Sequence, residues 1–235
     1  MRSSQRAVLI ALGFVVFVMF ATAAWVRLNV TPGERLSGGR VNLTPALTDF
    51  TAVDVRGNWD VTITQGDDWS VALEIPTEFQ DRFEARVVDG RLALGLEDKQ
   101  QWFGNLDRDR FEAQITMPKL SGLSLSGASE VDFDGFDGDS LAITMSGAAE
   151  IDGTASRFDK LELAMSGAGD TDLSEVPVTD AEVTVSGAAN VELNMAGGKL
   201  TGRMSGAGSL EYSGTVSEQS IATSGVVSIS RDRGR

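Results

Sequence analysis

The chain has 235 residues, of which 20 are Lys or Arg and 34 are Asp or Glu, so its net charge is −14. It contains neither His nor Cys, which excludes Ser-His-Asp catalysis, cysteine nucleophiles, disulfides and zinc sites built from those residues. The excess of acid also argues against nucleic acid as a partner, because its phosphates would be repelled.

The N-terminus contains a long apolar segment. Residues 7–26 carry no charge and follow the basic residues Arg2 and Arg6. Such a segment can span a bilayer as a helix, and its basic flank predicts that the rest of the chain is exported. The small residues at 21–23 favour a cleaved signal peptide, whereas Trp25 favours an uncleaved membrane anchor, and both interpretations remain open.

Composition divides the chain into four parts. Residues 1–26 are the signal peptide or transmembrane anchor. Residues 27–45 are rich in Gly, Pro and Ser without apolar periodicity, which predicts a linker. Residues 46–230 then form one domain, and residues 231–235 are a polar tail.

A repeat of about twenty residues dominates this domain. Ser-Gly recurs at spacings of 20, 20, 20, 19 and 19 residues, and Ala follows it in the first five copies. Apolar and polar residues alternate on both sides of each Ser-Gly, which predicts two short strands joined at a corner. Glycine suits such a corner because it tolerates positive φ and close backbone approach. The predicted corners are Gly127, Gly147, Gly167, Gly187, Gly206 and Gly225.

The length of the repeat restricts the fold. A βαβ unit takes about 30 residues or more, and the repeats lack helical periodicity. We therefore predict an all-β domain, a parallel β-helix in which each repeat forms one coil stacked on the next. An antiparallel sandwich is a weaker alternative, because its hairpins would alternate in turn chemistry whereas one motif returns here.

An earlier segment matches the repeat before a long insertion. Residues 53–63 align with the first repeat, with Gly57 in the place of Gly127. The insertion, residues 67–118, predicts a larger N-terminal cap, since terminal repeats of solenoids are atypical. Its strand-like runs lie at 70–75, 84–88 and 91–96, the last two joined by an Asp-Gly turn signal.

The opening Phe50–Gly57, followed by residues 61–66, and the serial Ser-Gly-Ala corners resemble the bacterial family of putative auto-transporter adhesins with a head GIN domain. The resemblance covers about residues 46–230. It implies a single-stranded, right-handed β-helix without a catalytic set, which is periplasmic, membrane-anchored or at the cell surface and is proposed to act in adhesion. The Gly-Ile-Asn-like head motif would fall at Gly57-Asn58-Trp59.

Two columns of acidic residues follow the corners. They lie four and six positions after each corner serine, and strand alternation directs them away from the core. Stacking would bring their carboxylates to about 5 Å from one another, which raises some pKa values and favours weak Ca²⁺ binding. The alternative is a solvated face that resists aggregation. The candidate ligands are Glu130, Asp132, Glu150, Asp152, Asp170 and Asp172.

Aromatic residues of the insertion suggest a second site. We predict a sugar- or protein-binding platform on the cap, and the alternative is that these side chains form the core of the cap. The platform residues are Asn58, Trp59, Trp102 and Phe103.

No catalytic residue is predicted. The corner serines lack a base to activate them, and the acidic surface would repel polyanionic polysaccharides. We therefore expect a non-enzymatic module of the cell envelope that binds an unidentified protein or glycan without a cofactor, and that attaches to the membrane if its N-terminal segment is uncleaved. A scaffold that stacks end to end is the main alternative, and a carbohydrate-active enzyme with paired carboxylates is the other.

Overall fold

The computed structural model describes residues 39–96 and 110–232, and within them the secondary structure is β apart from one 3-10 turn at Thr77–Phe79. Residues Gly39–Arg235 form one compact unit, so the predicted all-β fold is confirmed, whereas the predicted N-terminal helix lies outside the described residues. The strands are β1 Arg40–Leu43, β2 Ala52–Gln65, β3 Ser70–Pro76, β4 Phe83–Val88, β5 Arg91–Leu96, β6 Phe111–Met117, β7 Gly122–Asp134, β8 Asp137–Thr154, β9 Arg157–Ala196, β10 Lys199–Thr215 and β11 Glu218–Arg231.

Strands β7 to β11 form a parallel β-solenoid. Each corner glycine lies opposite the corner glycine of the next coil, from Gly127 to Gly225. Strand β9 is long enough to run through two consecutive corners. Strand β2 pairs with β7 in the same register, with Gly57 opposite Gly127, so the early segment is the first coil.

Each coil has two arms, one before and one after its corner glycine, and their inward side chains stack into one core. Leu123 and Ile143 are buried on the first arm, and Val131 and Ile151 are buried on the second. Thr171 is a polar exception that is only 1% exposed. Its hydroxyl lies 3.6 Å and 3.8 Å from the sulfur atoms of two neighbouring core methionines, which provide its weak hydrogen-bond acceptors.

The insertion covers the N-terminal side of β2 in two pieces. Strand β5, hairpinned with β4, pairs with the first arm of β2, and β6 pairs with the second arm. Strands β3 and β1 continue outward from β6 in antiparallel pairs. The hairpin turns at Asp89 and Gly90, both with positive φ, as the turn signal predicted.

Two strands of the cap differ from the sequence-based expectation. Strand β1 lies within the predicted linker, because Val41 and Leu43 pack against the core while their backbone pairs with β3. Strand β6 was not predicted. It lies between β2 and β3 in the sheet and pairs with both of them. At the other end of the sheet β11 is the last strand. Within the described part of the chain we find no apolar helix of membrane-spanning length.

Candidate functional site

The register of the coils brings the predicted acidic residues together. Residues four positions after the corner serine stack in one column and those six positions after it in a second column, and Glu192 beside Glu211 extends the second. We call these residues together the acidic face. The stacked partners are Glu130, Glu150 and Asp170 in the first column and Asp132, Asp152 and Asp172 in the second.

Hydrogen bonds and one cation relieve the ends of the first column. Arg110 precedes β6 and places its guanidinium 2.6 Å from a carboxylate oxygen of Glu130 and 3.5 Å from one of Asp60. At the other end the Asn190 amide donates to Asp170 at 2.8 Å, and the Ser209 hydroxyl donates to Asn190 at 2.8 Å. The middle of the acidic face therefore carries the closest unrelieved charges.

Four carboxyl groups in the two columns have raised pKa values, through burial first and neighbouring charge second. Partial burial, followed by the charge of Asp172, raises the pKa of Asp152. Burial, followed by the charge of Asp152, raises the pKa of Asp132 and also that of Glu150. Burial, followed by the charge of Asp172, also raises the pKa of Glu192. These four carboxyl groups hold protons more tightly than isolated carboxylates would, because partial burial and then neighbouring charges oppose ionisation.

The carboxylates stack as neighbours in a row and do not converge on one point. Among residues 39–96 and 110–232, no group of three or more acidic side chains is placed to hold a metal ion together. The face thus offers evenly spaced negative charge over several coils, which suits contact with an extended partner better than the enclosure of a single ion.

The structure removes Trp59 from the predicted aromatic platform. Trp59 is only 1% exposed, and its ring stacks on Phe111 at 5.0 Å while its indole nitrogen donates to the carbonyl of Arg56 at 3.0 Å. A side chain enclosed in this way belongs to the core of the cap and cannot receive a ligand. Asn58 is partly buried beside it, and Trp102 and Phe103 lie outside the described residues.

Sequence analysis did not predict that Arg110 contacts the acidic face. Arg110 immediately precedes Phe111, which pairs with Trp59 of β2, and β2 in turn pairs with the strand that carries Glu130. The alternation of residues 111–117 is the signal that could have revealed β6. Even so, the sequence does not show that β6 pairs with the second arm of β2.

Comparison with known proteins identifies one family and several similar solved structures. A family model described as "Putative auto-transporter adhesin, head GIN domain" matches residues 49–175. The crystal structure of a putative adhesin from Bacteroides fragilis is similar to 85% of this chain and 100% of its own, with a TM-score of 0.63 and 18% identity. A putative adhesin from Parabacteroides merdae gives coverages of 82% and 97%, a TM-score of 0.46 and 14% identity. No curated protein matches the chain.

Proposed function

Because the chain belongs to the family of putative auto-transporter adhesins with a head GIN domain, we propose that its solenoid is an exported, non-enzymatic adhesion module of a bacterial cell envelope. The observation that carries this proposal is the acidic face, which repeats the same charged side chains from coil to coil. A long, regular row of charge can contact an extended surface at many points at once. Its partner would be a protein or a glycan of the cell envelope.

The acidic face is the better contact surface of the two arms. The exposed first-arm positions do not form an unbroken charged column, because Thr144 and Ala164 are neutral and Glu162 lies in an ion pair with Lys160. A mixed surface of this kind gives little orientation or selectivity, whereas a continuous row of like charge steers the encounter and rejects partners of like charge. We therefore assign the contact to the second arms of the coils.

Weak Ca²⁺ binding along the acidic face belongs to the same proposal. Because no three carboxylates of the acidic face converge on one point, we restrict the proposed Ca²⁺ binding to neighbouring pairs such as Asp132 with Asp152. Calorimetric titration of CaCl₂ into a protein of residues 39–235 should give weak heats of binding. The D132N/D152N variant should give no such heats. A titration without heat would remove Ca²⁺ from the proposal and leave the adhesion module standing.

The adhesion assay uses beads coated with residues 39–235, applied to arrayed neutral and acidic glycans and to bacterial cells. The variant D132N/D152N/D172N should reduce retention by roughly tenfold or more, because three charges of the contact surface are lost. The matched control D139N/D159N/E182Q removes three exposed carboxylates outside the acidic face and should bind like the parent.

Two results would overturn the proposal. Equal loss of binding in the two triple variants would show that overall charge, and not the acidic face, governs retention. Release of reducing sugar from any arrayed glycan would establish catalysis and would replace the non-enzymatic assignment.

A further inference from the structure

Among the described residues, no strand covers the core of the solenoid beyond β11. Strand β11 pairs with β10 along 14 residues, and it is the terminal strand of the sheet order that the described residues form. None of its residues is buried, although Ile221, Val227 and Ile229 pack inward against the core and are partly covered. Val226 at the corner is 55% exposed. We call β11 with these side chains the open end.

The open end also lacks the charge that the second acidic column carries on the preceding coils. Ser228 and Ser230 occupy the positions that continue the two acidic columns, opposite Ser209 and Glu211 of β10. Within β11 the charged residues are Glu218 and Arg231, one at each end. A long edge strand with no Pro and no central charge presents unpaired backbone groups as a template for another strand.

The residues of β11 are self-complementary about Gly225. The inward positions are the odd-numbered ones, because Ile221, Val227 and Ile229 are the partly buried residues of the strand. Antiparallel pairing of two copies centred on Gly225 places Ile221 opposite Ile229 of the second copy. The same register places Thr223 opposite Val227 of the second copy, and Gly225 opposite Gly225 of the second copy. The two corners therefore lie side by side. Every inward residue then faces another inward residue, as continuous pairing requires.

From this register we propose that two copies of the chain pair tail to tail through β11, as a closed, twofold-symmetric dimer that buries both open ends. A second copy is the occupant that the residue pattern favours, because the antiparallel register matches inward residues with inward residues and brings no acidic side chain opposite another within β11. The cap is a poor partner, since its outermost strands β1 and β4 have only four and six residues. The dimer adds to the adhesion proposal and does not depend on it.

Sedimentation velocity of residues 39–235 over a range of concentrations tests the dimer. We expect a monomer–dimer equilibrium without larger species. The variant S228E/S230D extends the acidic columns onto β11 and should weaken the dimer at least tenfold. The control T144E/T184D adds the same two charges at exposed first-arm positions on the side of the solenoid and should leave the equilibrium unchanged. Circular dichroism checks that both variants retain the parent's strand content.

A cysteine experiment tests the register, since the chain contains no cysteine of its own. In the proposed pairing Ser220 lies opposite Ser230 of the second copy, at a Cα separation that permits a disulfide. S220C/S230C should therefore give a covalent dimer on mild oxidation. In the variant S220C/S228C the second cysteine lies two residues away from the position opposite Ser220. This variant should crosslink much more slowly.

Three results would overturn the proposed dimer. The first is a monomer at every soluble concentration, the second is an equal crosslinking rate in both cysteine pairs, and the third is oligomers that grow beyond two copies. The last result would favour head-to-tail stacking, in which β11 pairs with the cap of the next copy.

Discussion

At the scale of single residues, the corners depend on the absence of a side chain. Gly167 has a φ of 129°, and a Cβ added there would overlap the carbonyl oxygen of Gly147 in the preceding coil. The stacked corners approach each other through backbone atoms, which cannot move aside without breaking the register of the coils. The recurrence of glycine at this place therefore has a steric cause in addition to the conformational one.

We predict that Gly167→Ala lowers the free energy of unfolding by about 2–4 kcal/mol, because strain at positive φ adds to the backbone overlap. Denaturant unfolding followed by circular dichroism measures the change. The neighbouring substitution Ala168→Ser, at an exposed position, is the control and should change stability by less than about 0.5 kcal/mol. Similar stability of the two variants would mean that the corner tolerates a side chain.

At the scale of elements, the cap is held by aromatic packing between non-consecutive strands. Trp59 of β2 lies 5.0 Å from the ring of Phe111 in β6 and 5.8 Å from that of Phe83 in β4. One side chain thus joins both pieces of the insertion to the first coil. Its loss would leave a cavity where the two pieces of the cap meet.

Trp59→Ala should therefore cost about 3–5 kcal/mol of stability, as large-to-small changes of buried aromatic residues do. Thermal unfolding measures the effect, and Val88→Ala in the same cap provides a control, since Val88 is 45% exposed. Were Trp59 instead a contact residue, the variant would keep its stability and lose adhesion, which is the outcome that contradicts our assignment.

At the scale of the whole molecule, the partly buried and crowded carboxylates of the acidic face oppose folding. The raised pKa values of Asp132, Glu150, Asp152 and Glu192 mean that the folded chain binds protons more tightly than the unfolded chain. Above these raised pKa values the ionised groups destabilise the fold, and the penalty disappears as pH falls through them toward the ordinary carboxylate range near pH 4. Ion pairs such as Arg110 with Glu130 act in the opposite direction but are fewer on this face.

We expect the melting temperature to rise as the pH is lowered from neutral into the mildly acidic range, and to rise with added salt at neutral pH, since salt screens exposed charges. Asp152→Asn should raise the melting temperature at neutral pH and flatten its dependence on pH. Asp139→Asn, which removes an exposed charge outside the acidic face, should leave that dependence unchanged. A melting temperature that falls steadily on mild acidification would contradict this account.

The sequence by itself determined the coils. A constant spacing of Ser-Gly with alternating apolar residues indicates strands, corners and inward faces, because these features depend on neighbours one or two residues away. It also predicted the acidic columns, the Asp-Gly turn of the cap and the alignment of Gly57 with the serial corners, which the register of β2 with β7 confirms.

Only the tertiary structure decided what the cap buries and what the solenoid leaves exposed. The enclosure of Trp59, the addition of β1 and β6, the approach of Arg110 to Glu130 and the open end at β11 all depend on pairing between distant segments. Residue periodicity shows that a strand has an inward face, but it does not specify which strand covers that face. That choice follows from burial and backbone hydrogen bonding summed over the whole chain.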